Sequence, residues 1–192
     1  MKIHYDCEFI EDGRTIDLIS IGMVAEDGRE YYAVSRSAGM AGGWKARIGE
    51  NAWLMENVVP SLPVKVQRVP TRGGGIWNYV TWDENHPDHQ HLKARDLIAN
   101  EVREFILATP GPELWAWYAA YDHVALCQLW GPMISLPEGV PMWTNDLKQE
   151  VVRLGNPGLP PMPGVAEHNA LSDAREVAWR HQWLAGRTDA PQ

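Results

Sequence analysis

The stretch Tyr5-Asp6-Cys7-Glu8-Phe9 constrains the fold more than any other part of the chain. It belongs to an apolar, β-prone opening run, residues 2–9, that reads as a buried strand, yet it carries two carboxylates one residue apart. Side chains on a strand alternate between faces, so Asp6 and Glu8 point the same way, roughly 7 Å apart. Like charges on one buried face repel each other and resist desolvation unless something positive compensates them. A divalent metal ion meets that need, so the fold is expected to bring further ligands to this strand.

The strands that follow are marked by their turns. Asp12-Gly13 and Glu26-Asp27-Gly28 separate three β-rich runs, residues 2–9, 16–25 and 30–35, which predicts an antiparallel three-strand meander. The glycine-rich run 38–43 reads as loop, and residues 50–59 as a short helix ended by Pro60 and Pro63. Residues 64–91 hold Gly73-Gly74-Gly75, then Trp77, Tyr79 and Trp82, then His86, His89 and His91. They read as a surface excursion or small hairpin, with a base-stacking flap or a subunit contact as the sharper alternative. The three histidines lack fixed partners and read as solvated.

Leu92, Leu97, Ile98, Val102, Phe105 and Ile106 recur at helical spacing over 92–108. Leu114-Trp115-Ala116-Trp117-Tyr118 is short, apolar and bounded by breakers, and reads as a buried strand. Helices are expected over 122–130, 145–154 and 170–184, with a proline-punctuated connection over 133–144 that has room for one more short strand, a four-proline loop over 156–164 and a frayed tail over 186–192. A helical crossover into the fourth strand places it parallel to one already in the sheet. The fold class is therefore α/β: a mixed sheet, an antiparallel meander followed by parallel strands, with helices packed on it. With no internal repeat, residues 1–192 read as one domain.

Composition narrows the partners. A formal charge of −8 argues against the broad basic footprint of a duplex-DNA binder. It leaves room for a nucleic-acid enzyme, because carboxylates that hold metal ions count as negative until the metals arrive. No window approaches a membrane span, the opening residues carry no basic-then-apolar leader, and Cys7 and Cys127 sit in no metal-ligand spacing. A reduced, cytoplasmic setting is expected.

Two later segments offer ligands. Asp122 follows the strand at 114–118 and heads its helix; alone, it reads as an N-cap. Asp173 lies on the last helix, where Asp is a poor helix former unless it has another role. Five residues turn a helix through about 500°, so His168 would not share a face with Asp173 and is expected in the loop or first turn, reaching the site from another side.

In that order, the first-strand D-x-E, the Asp at a strand–helix junction and the terminal H-x-x-x-x-D resemble the DEDDh 3′–5′ exonucleases of the ribonuclease H-like fold. Asp6-Cys7-Glu8-Phe9-Ile10-Glu11-Asp12-Gly13, Leu18-Ile19-Ser20-Ile21-Gly22, Glu113-Leu114-Trp115-Ala116-Trp117 and Tyr121-Asp122-His123-Val124-Ala125-Leu126 are similar to the ribonuclease AS type, exoribonucleases that prefer polyadenylate. Phe9-Ile10 replaces the small pair common after D-x-E, and Tyr118 stands where many relatives carry Asn. The resemblance covers about 1–36, 92–135 and 165–180.

The resemblance implies a ribonuclease H-like sheet and metal-dependent release of nucleoside 5′-monophosphates from single-stranded RNA 3′ ends by a homodimer. It implies two Mg²⁺ ions, replaceable by Mn²⁺, about 4 Å apart, held by Asp6, Glu8, Asp122 and Asp173, with Asp6 bridging. Hard carboxylate oxygens suit these ions. Histidine titrates near neutrality as a residue type, which makes His168 the candidate general base. Phe9 is a candidate for stacking on the terminal base and Arg175 for a phosphate contact, against core packing and a solvated helix face respectively. A DNA-directed proofreading exonuclease and a non-catalytic nucleic-acid-binding module remain the alternatives. An aspartyl-nucleophile phosphatase would want Asp-x-Asp and a partnering Lys, which this chain does not offer.

Overall fold

Left-handed glycines close the two turns that build the sheet: Gly13 has φ 78° and Gly28 φ 87°, values an L side chain rarely adopts. In the computed structural model, which describes residues 1–36, 43–162 and 168–188, they join β1 (Lys2–Glu11), β2 (Ile16–Ala25) and β3 (Glu30–Ser35). β1 runs antiparallel to β2, and β2 to β3. The chain then passes through α1 (Gly43–Ile48), α2 (Ala52–Asn57) and a separate hairpin of β4 (Val64–Pro70) and β5 (Ile76–Trp82). β6 (Leu92–Lys93) returns to the sheet parallel to β3, and α3 (Arg95–Leu107) crosses over to β7 (Glu113–Ala116), which lies parallel to β1. α4 (Ala120–Cys127), the short parallel strand β8 (Asn145–Asp146), α5 (Leu147–Arg153) and α6 (Ala170–Thr188) complete the order.

The main sheet has the order β6-β3-β2-β1-β7-β8, so the strand with Asp6 and Glu8 sits inside it. The mixed sheet, the meander and the parallel crossover match expectation. The extra short strand forms at Asn145–Asp146, just past the connection where it was sought. The glycine-rich run falls outside the described residues except Gly43, which opens α1, and residues 163–164 of the four-proline loop and 189–192 of the tail also lie outside. α6 continues to Thr188, beyond the expected end. No described helix is long and apolar enough to cross a membrane.

Both faces of β1 are covered. Ile3, Tyr5 and Cys7 pack with α3 and α4, through Ile98, Val102, Ile106, Ala125 and Leu126. The other face lies under α6, where buried His4 meets His181, Nε2 to Nδ1 at 2.9 Å. A second core, built from Ile19, Val34, Trp44, Ile48, Leu54 and Val80, joins the sheet to α1, α2 and the hairpin base. Opposite the end of β1, the register passes from Glu8–Ser20 to Phe9–Leu18 and leaves Ile19 unpaired. This bulge turns Leu18 and Ile19 into different cores.

α6 approaches the sheet through Gly22, the residue opposite Asp6. A Cβ there would lie 2.3 Å from the Leu171 Cα and backbone nitrogen, distances no real packing allows. The missing side chain lets the first turn of α6 rest on β2, which sets Asp173 beside Asp6 and Glu8.

Candidate active site

The sheet splits where the site forms. β1 pairs with β7 only from Lys2 to His4, opposite Glu113 to Trp115, and then continues to Glu11 with that edge open. An unpaired N–H at this depth needs an acceptor. Asp122 supplies it: its Oδ1 accepts from the Cys7 N–H at 2.8 Å. Asp122 is not the N-cap of its helix. The helix starts at Ala120, with Ala119 at the cap, so the carboxylate lies within the first turn and is free to reach across the gap. Asp6 and Glu8 come from the α6 side of β1 and Asp122 from the α4 side, and the opening lets them meet.

Asn169 caps α6, its Oδ1 accepting from the Ser172 N–H at 3.1 Å and its carbonyl from the Asp173 N–H at 2.9 Å. His168 precedes it in the left-handed region, φ 59°, a conformation a non-glycine residue keeps only when its surroundings hold it. Two contacts do so. The Ser61 hydroxyl donates to the His168 carbonyl at 2.7 Å, and the Trp53 ring meets the imidazole edge-on at 4.9 Å. His168 thus enters from the loop side, and ligand atoms of Glu8, His168 and Asp173 all lie within 4.8 Å of one another.

All five expected residues line one cleft of about 260 Å³, together with Cys7, Phe9, Trp117, Tyr118 and Tyr121. No lysine or arginine lines it among the described residues, and the carboxyl groups respond. Burial first, then Asp122, Glu8 and Asp173, drives the Asp6 carboxyl well above the ordinary range. Burial, with Asp173 and Asp122, pushes Glu8 up to about 8. Asp122 is pushed up to about 7 by burial, opposed by the hydrogen bond from Cys7 and reinforced by Asp146 and Asp173. Crowded carboxylates without a cation form an oxygen-rich cage that fits a hard divalent ion.

No family model matches the chain. Over 192 residues it is 43% identical to proteins named 3′-5′ exoribonuclease in two strains of Mycobacterium tuberculosis, covering 99% of this chain and 96% of each relative. The chain belongs to this exoribonuclease family.

Of the two candidate substrate contacts, one lies in the cleft. Phe9 packs on the α3–α4 core, as alternation requires, but at the split in the sheet it also reaches the cleft, edge-on to Tyr121 at 6.0 Å. Arg175 stays outside. Its guanidinium pairs with Glu30, Nε to Oε1 at 2.8 Å, on an exposed part of α6.

Sequence reasoning missed the aromatic wall of this cleft. Trp117 and Tyr118 read as a strand, but β7 stops at Ala116. Tyr118 takes φ 55° and donates its N–H to Asp146 Oδ1 at 3.2 Å, which leaves its ring exposed at the mouth. The departure from Asn at Tyr118 was the one available signal. Trp53 and Ser61, which hold His168, had none.

Proposed function

We propose that this chain is a metal-dependent 3′–5′ exoribonuclease of the DEDDh, ribonuclease H-like type, similar to ribonuclease AS. It removes nucleoside 5′-monophosphates from single-stranded RNA 3′ ends and prefers adenylate. The observation that carries the reading is the convergence of Asp6, Glu8, Asp122 and Asp173, from three elements, with His168 in a cleft without a cationic side chain. Family membership supports the exoribonuclease activity; the adenylate preference rests on the resemblance alone.

The four carboxylates would hold two Mg²⁺ or Mn²⁺ ions. Bound there, such ions supply charge neutralisation at the phosphate, water activation and stabilisation of the leaving oxygen. The protein supplies position. The Cys7 N–H orients Asp122, the Asn169 cap sets Asp173, and Gly22 lets α6 bring it to β1. The His168 imidazole takes the proton from the attacking water while Ser61 holds its backbone and Trp53 packs on its ring. The water oxygen bonds to the terminal phosphorus, and the bond to the 3′ oxygen breaks. The 3′ oxygen takes a proton from solvent, which leaves a 3′-hydroxyl on the shortened strand, and His168 returns its proton to solvent. Phe9, Tyr121 and Tyr118 offer ring surface to the departing nucleotide.

A second role for His168, as a metal ligand, is favoured by its ring nitrogen lying within the 4.8 Å cluster with Glu8 and Asp173. A cytoplasmic setting and a homodimer belong to the same reading; free Cys7 and Cys127 agree with the first.

The test uses 3′-labelled single-stranded RNA, polyadenylate and DNA, each with Mg²⁺, Mn²⁺ or EDTA. Expected are mononucleotide products from RNA, fastest from polyadenylate, and no products in EDTA. Cleavage that survives EDTA, or DNA degraded in preference to RNA, would overturn the reading.

A further inference from the structure

The carboxylate cleft accounts for bond cleavage but not for holding a polyanion, since its lining residues are acidic or aromatic except for Cys7 and His168. The cations lie elsewhere. Residues 64–82, the β4–β5 hairpin, contain Lys65, Arg68 and Arg72 and no Asp or Glu, in a chain of net charge −8. Lys65 pairs with Asp83. Arg68 and Arg72 are exposed and make no ion pair among the described residues.

The hairpin face that carries Arg68 also walls a groove of about 650 Å³, more than twice the volume of the cleft. Val64, Val66, Arg68 and Asn78 form one side; Ala52, Met55 and Glu56 of α2 form the other, with Val59 and Leu62 among the apolar residues between them. α2 links this groove to the site. Ala52, Met55 and Glu56 share one face of the helix, and Trp53, about 100° round, meets His168. Pro60 lines the groove while its neighbour Ser61 holds the His168 carbonyl. A strand whose 3′ end lies at the carboxylates therefore needs to pass only one short helix to enter the groove.

We infer that the groove between α2 and the hairpin is a second RNA subsite, which takes an unpaired base and its phosphate from the strand 5′ to the scissile linkage. The apolar floor receives the base, and Arg68, with Arg72 in the turn beyond it, meets the phosphates. Such contacts do not depend on sequence, which suits an enzyme that must hold each successive register of one strand. The inference rests on the exoribonuclease reading for the nature of its ligand.

The test replaces Arg68 and Arg72 with Ala; both are exposed, so folding should survive. Binding of a labelled adenylate dodecamer is read by fluorescence anisotropy on an Asp6→Asn background, which separates it from cleavage. The double variant should bind about tenfold more weakly, with a salt slope shallower by about 0.7 per lost phosphate contact. With Asp6 intact, KM for the dodecamer should rise while kcat, and the hydrolysis of an adenylate dinucleotide too short to reach the groove, stay at the unaltered level. Unchanged dodecamer binding, an equal loss on both substrates, or conversion of a larger assembly to monomers in sedimentation would overturn the subsite, the last assigning these arginines to a contact between copies. Failure of the unaltered protein to cleave either substrate would instead strike the exoribonuclease reading, leaving the anisotropy result to judge the groove.

Discussion

β1 and the β4–β5 hairpin place charge in opposite surroundings. β1 lies inside the sheet with both faces covered and carries Asp6 and Glu8, which have no cationic partner among the described residues. The hairpin stands outside the sheet, anchored at its base by Val80 and Trp82, and carries Arg68 and Arg72 in the open. Burial makes each charge on β1 costly and responsive to a bound ion. Exposure leaves each charge on the hairpin screened and individually weak. A residue of β1 is therefore expected to govern turnover, and a residue of the hairpin to govern affinity.

The strongest way to break that contrast is Asp6→Asn. RNA hydrolysis should fall by about 10³ or more, while the thermal midpoint without metal rises because one of the crowded carboxylates is gone. A variant that keeps its rate would end the assignment. His168→Ala comes next, with turnover expected to drop ~10²- to 10⁴-fold. Calorimetric Mn²⁺ binding should survive if His168 is the base, whereas loss of binding together with rate would make it a ligand. Gly22→Ala probes the placement of α6: the added Cβ forces the helix off β2, costing about 1–3 kcal/mol in urea unfolding and lowering turnover as Asp173 moves. Stability lost with full turnover would show that Asp173 need not sit where α6 puts it. Arg175→Ala should do least. Its pair with Glu30 is exposed and solvent-screened, worth a few tenths of a kcal/mol at ~25 °C, and KM for RNA should not move; a raised KM would return Arg175 to the substrate contacts.

The same contrast explains what could be read from sequence. The meander, β7 and the larger helices were legible because Asp-Gly turns, breaker-bounded apolar runs and helical periodicity are local signals of burial. The hairpin was only one of two readings for 64–91, since a ribbon exposed along most of its length shows no clean alternation of apolar and polar residues. β6 and β8, two residues each, leave too little pattern to detect. At the site, Asp6 and Glu8 declared themselves by their cost. Asp122 alone read as a cap because its hydrogen bond to Cys7 crosses 115 residues of chain. Phe9 read as core, and is, but the end of the β1–β7 ladder also opens it to the cleft.

The central claim is that the carboxylate cluster is a divalent-ion site. Unfolded Asp and Glu titrate near pH 4, whereas folded Glu8 and Asp122 are pushed up to about 8 and 7. Between those limits the folded state holds the extra protons on these two groups, so their contribution to metal-free stability is fully present at low pH and falls as pH rises from about 4 to 8. Burial, which holds His4 down to about 3, works in the opposite direction below about pH 6.5. Ions must displace these protons, so they should restore more stability at high pH. The direct measurement is the thermal midpoint from pH 5 to pH 8, with and without Mn²⁺. The account predicts a midpoint that declines in EDTA from about pH 6.5, where the histidines no longer oppose it, to pH 8, and a Mn²⁺-induced rise that is larger at pH 8 than at pH 5. A midpoint indifferent to Mn²⁺ at every pH would contradict it.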